Sequence, residues 1–149
     1  MKKLTLILAL PLVISACAGK GPKEPKVTPT QVIERYLAAL QKDILGEAYE
    51  TITLQYAQNM SKETWVQKQQ ESINKLGYQI VYYKILGENL SGTEAWVVVE
   101  TGVKYKPPDL NEEVLQRVKT QYLLSVVDGV WKIYSHNELE NEAVEEFEK

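Results

Sequence analysis

The chain has 149 residues, 20 acidic against 17 basic, a net charge of −3, one cysteine and one histidine. The acidic balance excludes a binder that relies on neutralising phosphates, a lone cysteine excludes an internal disulfide, and one cysteine with one histidine cannot assemble the ligand set of a structural zinc. The length is that of one domain with room for a core that needs no covalent staples.

The N-terminus carries an address. Lys2 and Lys3 precede an apolar run from Leu4 to Ile14, interrupted only by Thr5 and Pro11. A spanning helix needs roughly 20 apolar residues; this run is shorter and has the length of the apolar segment of a secretory signal. Ile14-Ser15-Ala16-Cys17 follows, an aliphatic residue, two small residues and the cysteine. That order resembles a bacterial lipobox. The resemblance implies cleavage after residue 16, lipid on Cys17, and a membrane as the first partner. Ala18, rather than an aspartate, tilts the expected location to the periplasmic side of an outer membrane. The alternatives are an ordinary signal with a chance cysteine, or a buried structural cysteine. Residues 17–27, rich in Gly, Pro and Lys, read as a lipidated cysteine and solvated tether, with an average span of about 17–19 Å.

The folded part is expected over 28–137 and opens with helices. Thr28-Pro29-Thr30-Gln31 combines an N-cap, a proline at the first helical position and a glutamine closing a capping box. Val32, Ile33, Tyr36, Leu37 and Leu40 recur at helical spacing. A short second helix carries Ala48, Tyr49, Ile52 and Tyr56. Ser61 caps a third, with Trp65, Val66, Gln69 and Ile73 on one side and Gly77 as its stop.

From Tyr78 the period changes to two and β-branched residues rise. Strands are predicted at 78–88, 95–106, 114–127 and 130–137, with a loop at 89–93 and a longer connection at Pro107-Pro108-Asp109. Asp128-Gly129 signals a two-residue type I′ hairpin. With Val127 opposite Val130, Val126 faces Trp131, Leu124 faces Ile133 and Tyr122 faces Ser135. This register predicts an inner face of Tyr122, Leu124, Val126, Trp131 and Ile133 covering the helices. His136 falls on the opposite, more polar face with Leu123, Val127, Val130 and Tyr134. Residues 138–149 read as an acidic tail or a short helix with Leu139, Ala143 and Phe147 on one side. The predicted class is α+β: three N-terminal helices packed on a curved four-stranded antiparallel sheet.

The helical segment with Gly46-Glu47-Ala48-Tyr49 and the terminal Asp128-Gly129-Val130-Trp131-Lys132-Ile133 resemble the nuclear-transport-factor-2-like superfamily, with its SnoaL-like and ketosteroid-isomerase-like branches. The resemblance covers residues 28–137. It implies a cone-like sheet curled around a helix, and its members include enzymes, ligand binders and assembly modules, so it does not select an activity.

No catalytic set stands out. His136 has no neighbour in sequence to orient it, and Asp43, Glu100 and Asp109 sit in no motif. Tyr82, Tyr83, Tyr105 and Tyr122 read as amphipathic sheet residues. No metal or cofactor is expected. The expected role is a non-catalytic, lipid-anchored envelope module whose interaction face is Leu123, Val127, Val130 and Tyr134, with a second copy or an envelope protein as partner. The alternatives are a small pocket enzyme and a structural component of an envelope or secretion complex. Whether the cone is filled or empty discriminates among them.

Overall fold

The computed structural model describes residues 25–147. The expected signal segment, Cys17 and most of the tether lie outside the described residues. The first helix, α1 (Pro29–Gln41), starts as its sequence dictates. The Thr28 hydroxyl accepts from the Gln31 N–H at 3.2 Å, and the Gln31 carbonyl oxygen accepts from the Thr28 N–H at 3.0 Å. Its periodic face, Val32, Ile33, Tyr36, Leu37 and Ala39, is buried. Ile33 and Leu37 are essentially inaccessible, and each stabilises the fold by about 1.5–3 kcal/mol.

Helix α2 (Leu45–Tyr49) is shorter than its sequence suggested. The chain then leaves helical geometry. The Thr53 N–H donates to the Ile133 carbonyl and the Ile133 N–H donates to the Thr51 carbonyl, both at 2.9 Å, so Ile52 forms a parallel bridge instead of a helical turn. Thr51, Ile52 and Thr53 are all β-branched, which favours this extended state. The segment covers a sheet edge that would otherwise stand unpaired. Helix α3 (Lys62–Leu76) is capped by Ser61 and stopped by Gly77 in the left-handed region, as expected. It buries only Trp65, which packs on Tyr49 with ring centroids 5.7 Å apart.

The sheet is an antiparallel meander in the order β1 (Gln79–Ser91), β2 (Glu94–Tyr105), β3 (Val114–Val127), β4 (Val130–Val144). The α+β class with a four-stranded antiparallel sheet therefore stands. Asp128 and Gly129 have φ of 51° and 77°, the paired positive values of a type I′ turn. Tyr122, Leu124, Trp131 and Ile133 are buried, and Val126 packs against the core beside them.

Three expectations are corrected. The loop at 89–93 shrinks to the turn at Gly92 and Thr93, because β1 pairs through Ser91. Residues 138–144 form neither a tail nor a helix. They extend β4, and Leu115 is still paired with Val144. Lys119 and Arg117 on β3 lie opposite Glu140 and Glu142, so the glutamates that suggested a solvated end meet cations across the ladder. Finally, Tyr122 faces His136, not Ser135. Tyr134 is an extra residue: it and Ser135 together oppose Leu123, and the residues from Ser135 to Glu138 change face until a second extra residue, Leu139, restores the original alternation.

Tyr134 and Leu139 bulge in β4, and Val81 and Leu86 bulge in β1. The irregularities thus sit in the two edge strands, where they increase twist and curl the sheet around α1. The Gln41 amide, at the end of α1, donates to the carbonyls of Ile80 and Val81 at 3.3 and 3.0 Å and so fixes one bulge against the helix.

Candidate functional site

Helix α3 buries only Trp65 and packs Val66 and Ile73 partly against the core, so the rest of its inner side stands away from the sheet. The space between is a cavity of about 670 Å³. Helix α1 contributes Tyr36, Leu37 and Leu40, the chain after α2 contributes Tyr56, Gln58 and Met60, and α3 contributes Trp65, Lys68, Gln69 and Ile73. The sheet supplies Ile80, Val103, Val118, Thr120, Tyr122, His136 and Glu138. A second depression of about 470 Å³ shares Tyr36, Leu40, Ile73 and Tyr78 with the first.

Four aromatic rings in this lining touch in a closed circuit. Tyr36 meets Tyr56 at 6.3 Å and Tyr122 at 6.0 Å between centroids; His136 meets Tyr56 at 5.5 Å and Tyr122 at 6.1 Å. Each comes from a different element. Tyr36 lies on the buried stripe of α1 and Tyr122 on the inner face of β3. His136 arrives through the Tyr134 bulge. Tyr56 is set by its own N–H, which donates to the Thr53 hydroxyl at 3.1 Å, and by Tyr49, whose hydroxyl donates to the Met60 carbonyl at 2.8 Å. Gln58 and Asn59 between them both take left-handed backbone, φ 54° and 58°. For a glutamine this costs about 1–2 kcal/mol, which the packing of Tyr56 and Met60 must offset.

The electrostatics are those of neutral phenols. Burial pushes the Tyr36 hydroxyl well above its ordinary value, with the neighbouring Tyr56 and Tyr122 adding to the effect. Burial raises Tyr56 and Tyr122 as well. The Tyr36 and Tyr56 hydroxyls lie 3.4 Å apart and satisfy each other. The Tyr122 hydroxyl has no hydrogen-bond partner among the described residues and is open to a guest. Charge is confined to exposed residues of the lining, Lys68 on α3 and Glu138 on β4. Such a site can enclose an apolar body, offer it aromatic faces and hydroxyl donors, and present one ion of each sign at its edge.

The residues singled out from sequence are dispersed. Glu100 is on the outer sheet face, where it accepts from the Tyr82 hydroxyl at 3.1 Å and lies 3.9 Å from Arg117. Asp43 borders the smaller depression, and Asp109 lies in the β2–β3 connection. None of them lines the larger cavity. Among the described residues no acidic, histidine or cysteine cluster could hold a metal. Val127 and Val130 are exposed at the hairpin, and Leu123 and Tyr134 are half-exposed beside them. Trp96, opposite Leu123 and 37 % exposed, joins that face. The alternation of Trp96 with the buried Val97 and Val99 was the available signal for it. His136 was placed on the wrong face, because nothing local marks a bulge at Tyr134.

No family model matches the chain, and no curated protein matches it in sequence. Solved structures do share its architecture. One is a SEC-C motif containing protein from Rhodopseudomonas palustris, with TM-score 0.54 and 12% identity, covering 76% of this chain and 80% of that one. Another is described as a Ca/calmodulin-dependent kinase II association domain from Exiguobacterium sibiricum 255-15, with TM-score 0.51 and 12% identity, covering 79% and 92%. Likeness at this identity speaks to fold alone.

Proposed function

We propose that the protein is a lipid-anchored envelope module of the nuclear-transport-factor-2-like superfamily that holds a small, largely apolar ligand between its sheet and α3. The observation that carries this is the open, tyrosine-lined cavity of about 670 Å³, within the size range of small-molecule sites. The anchor rests on the ordered signal at Lys2, Lys3, the Leu4 to Ile14 run and Ile14-Ser15-Ala16-Cys17. No helix among the described residues is long and apolar enough to cross a membrane. Two acyl chains on Cys17 give lasting attachment where one does not. The tether would keep the cavity close to the bilayer.

Two measurements test the two halves. Mass spectrometry of the N-terminal peptide from a bacterial membrane fraction should find diacylglyceryl-modified Cys17; a free thiol there overturns the anchor. The neutral fluorophore N-phenyl-1-naphthylamine should brighten on binding the wild-type chain and lose that response in Val118→Trp, which fills the cavity. A dark probe with the wild type overturns the ligand site.

A second reading, assembly through the outer sheet face, is favoured by the apolar cluster of Trp96, Leu123, Val127, Val130 and Tyr134. A second copy or an envelope protein is the partner that such a face would take. A pocket enzyme would have to use His136 for proton transfer, the one imidazole facing the cavity.

A further inference from the structure

We infer that the free edge of β4, from His136 to Ala143, takes an extended basic segment of a partner protein as an added strand. The edge follows from the ladder. On β3 the Val126 N–H donates to the Thr93 carbonyl and the Val118 carbonyl accepts from the Thr101 hydroxyl, so both turn their main-chain groups toward β2. Strands β2 and β3 pair without a register shift, so every second residue of β3 does the same. The residues of β4 opposite them must turn their own N–H and C=O groups away from β3: Ile133, His136, Glu138, Asn141 and Ala143. Ile133 bonds both groups to the chain at Thr51 and Thr53. The main-chain groups of the other four have no partner among the described residues. On the opposite edge of the sheet, Gln41 occupies the carbonyls of Ile80 and Val81.

Charge selects the occupant. From Tyr134 to Phe147 the chain carries five glutamates and no lysine or arginine. Lys119 and Arg117 lie opposite Glu140 and Glu142, which leaves Glu138, Glu145 and Glu146 without a cation across the ladder. A second copy pairing β4 on β4 would set carboxylate against carboxylate, which destabilises a sheet. A lysine-rich strand would neutralise them. The bulge at the exposed Leu139 interrupts the edge and blunts it further against flat self-pairing. An added strand also reaches the cavity. His136, Glu138 and Asn141 are exposed members of its lining, as are Lys68 and Ser72 on α3, so its mouth lies beside this edge. Guest residues that bond to β4 turn their side chains to the inner face, toward that mouth. The pairing stands on the edge itself; only this seating of side chains rests on the cavity being a ligand site.

The probe is a fluorescent eight-residue peptide that alternates lysine and valine. It is titrated by anisotropy into the full chain in phosphatidylcholine nanodiscs, with empty nanodiscs as the blank. Its counterpart with glutamate in place of lysine should bind at least about tenfold more weakly. Two analogues, N-methylated at every valine or at every lysine, each keep one free main-chain edge. One should lose at least about tenfold and the other less than about threefold, because a strand bonds through one edge. Asn141→Pro removes an N–H turned away from β3 and no ladder bond, so it should weaken the peptide at least about fivefold while keeping the fold. If that variant unfolds, the methylated pair still decides. No binding, equal binding of the acidic counterpart, or equal loss from both analogues overturns the inference. So does a wild type that dimerises and is dispersed by Asn141→Pro, since a second copy then covers the edge. If the peptide binds and N-phenyl-1-naphthylamine stays dark, the inference stands and the ligand site falls. If only the fluorophore binds, the inference falls and the ligand site remains.

Discussion

Replacing Gly102 with alanine should unseat an aromatic stack on the outer face of the sheet. Gly102 on β2 is buried and lies opposite Tyr82 on β1, whose ring covers it. A methyl at Gly102 would come within 2.1 Å of the ring carbon Cε1 and 2.4 Å of Cδ1, so the ring must leave. Its departure breaks the hydrogen bond from the Tyr82 hydroxyl to Glu100 at 3.1 Å, worth about 0.5–1.5 kcal/mol. It also separates Tyr82 from Phe147, now edge-to-face at 5.3 Å, worth about 0.5–1.5 kcal/mol more. Against this, glycine to alanine returns about 0.4–1 kcal/mol by restricting the unfolded chain. The net loss is about 1–2 kcal/mol, a fall in Tm of roughly 4–10 °C for a domain of this size. Thermal unfolding followed by circular dichroism reads it, and a double-mutant cycle with Tyr82→Ala isolates the cause. Once the ring is gone the methyl has room, so Gly102→Ala in the Tyr82→Ala background should be neutral or slightly stabilising. An equal loss in both backgrounds would refute the close-approach account and point to backbone geometry at Gly102 instead.

Gly129→Val should destabilise the domain by at least about 1 kcal/mol in urea unfolding, because a β-branched residue resists the φ of 77° that the hairpin requires. Tyr36, Tyr56 and Tyr122 are raised by burial above an ordinary value of 10.0. The unfolded chain therefore releases their protons first, and stability should be level below about pH 10 and fall as pH rises beyond it. Tyrosinate absorbance should appear together with unfolding, and Tyr122→Phe should make the alkaline decline shallower; ionisation of every tyrosine before unfolding would contradict this. Leu123→Glu with Tyr134→Glu should weaken self-association or capture of an envelope partner in sedimentation experiments without lowering Tm by more than a few degrees, since both side chains are half-exposed on the outer face. A wild type that stays monomeric and binds nothing removes that face from consideration.

Local sequence determined the parts whose physics is local. The capping box at Thr28 and Gln31, the stop at Gly77 and the turn at Asp128-Gly129 each close hydrogen bonds or φ requirements within a few residues, and all form as the sequence dictates. The buried face of the last hairpin is also legible as far as Ile133, because period-two alternation from a fixed turn assigns sides. Tertiary structure decided what lies beyond. One bulged residue, Tyr134, turns His136 from the outer face to the inner and joins it to three tyrosines from α1, the chain after α2, and β3. A bulge depends on the curvature the whole sheet needs to wrap α1, and no local preference encodes it. The extension of β4 is similar: residues 138–144 are too acidic to read as a strand alone, and they pair because Lys119 and Arg117 lie across from them. The cavity exists because α3 buries little beyond Trp65. How far a weakly amphipathic helix stands from a curved sheet is set by side chains distant in sequence, so only the folded chain reveals the space that a ligand could fill.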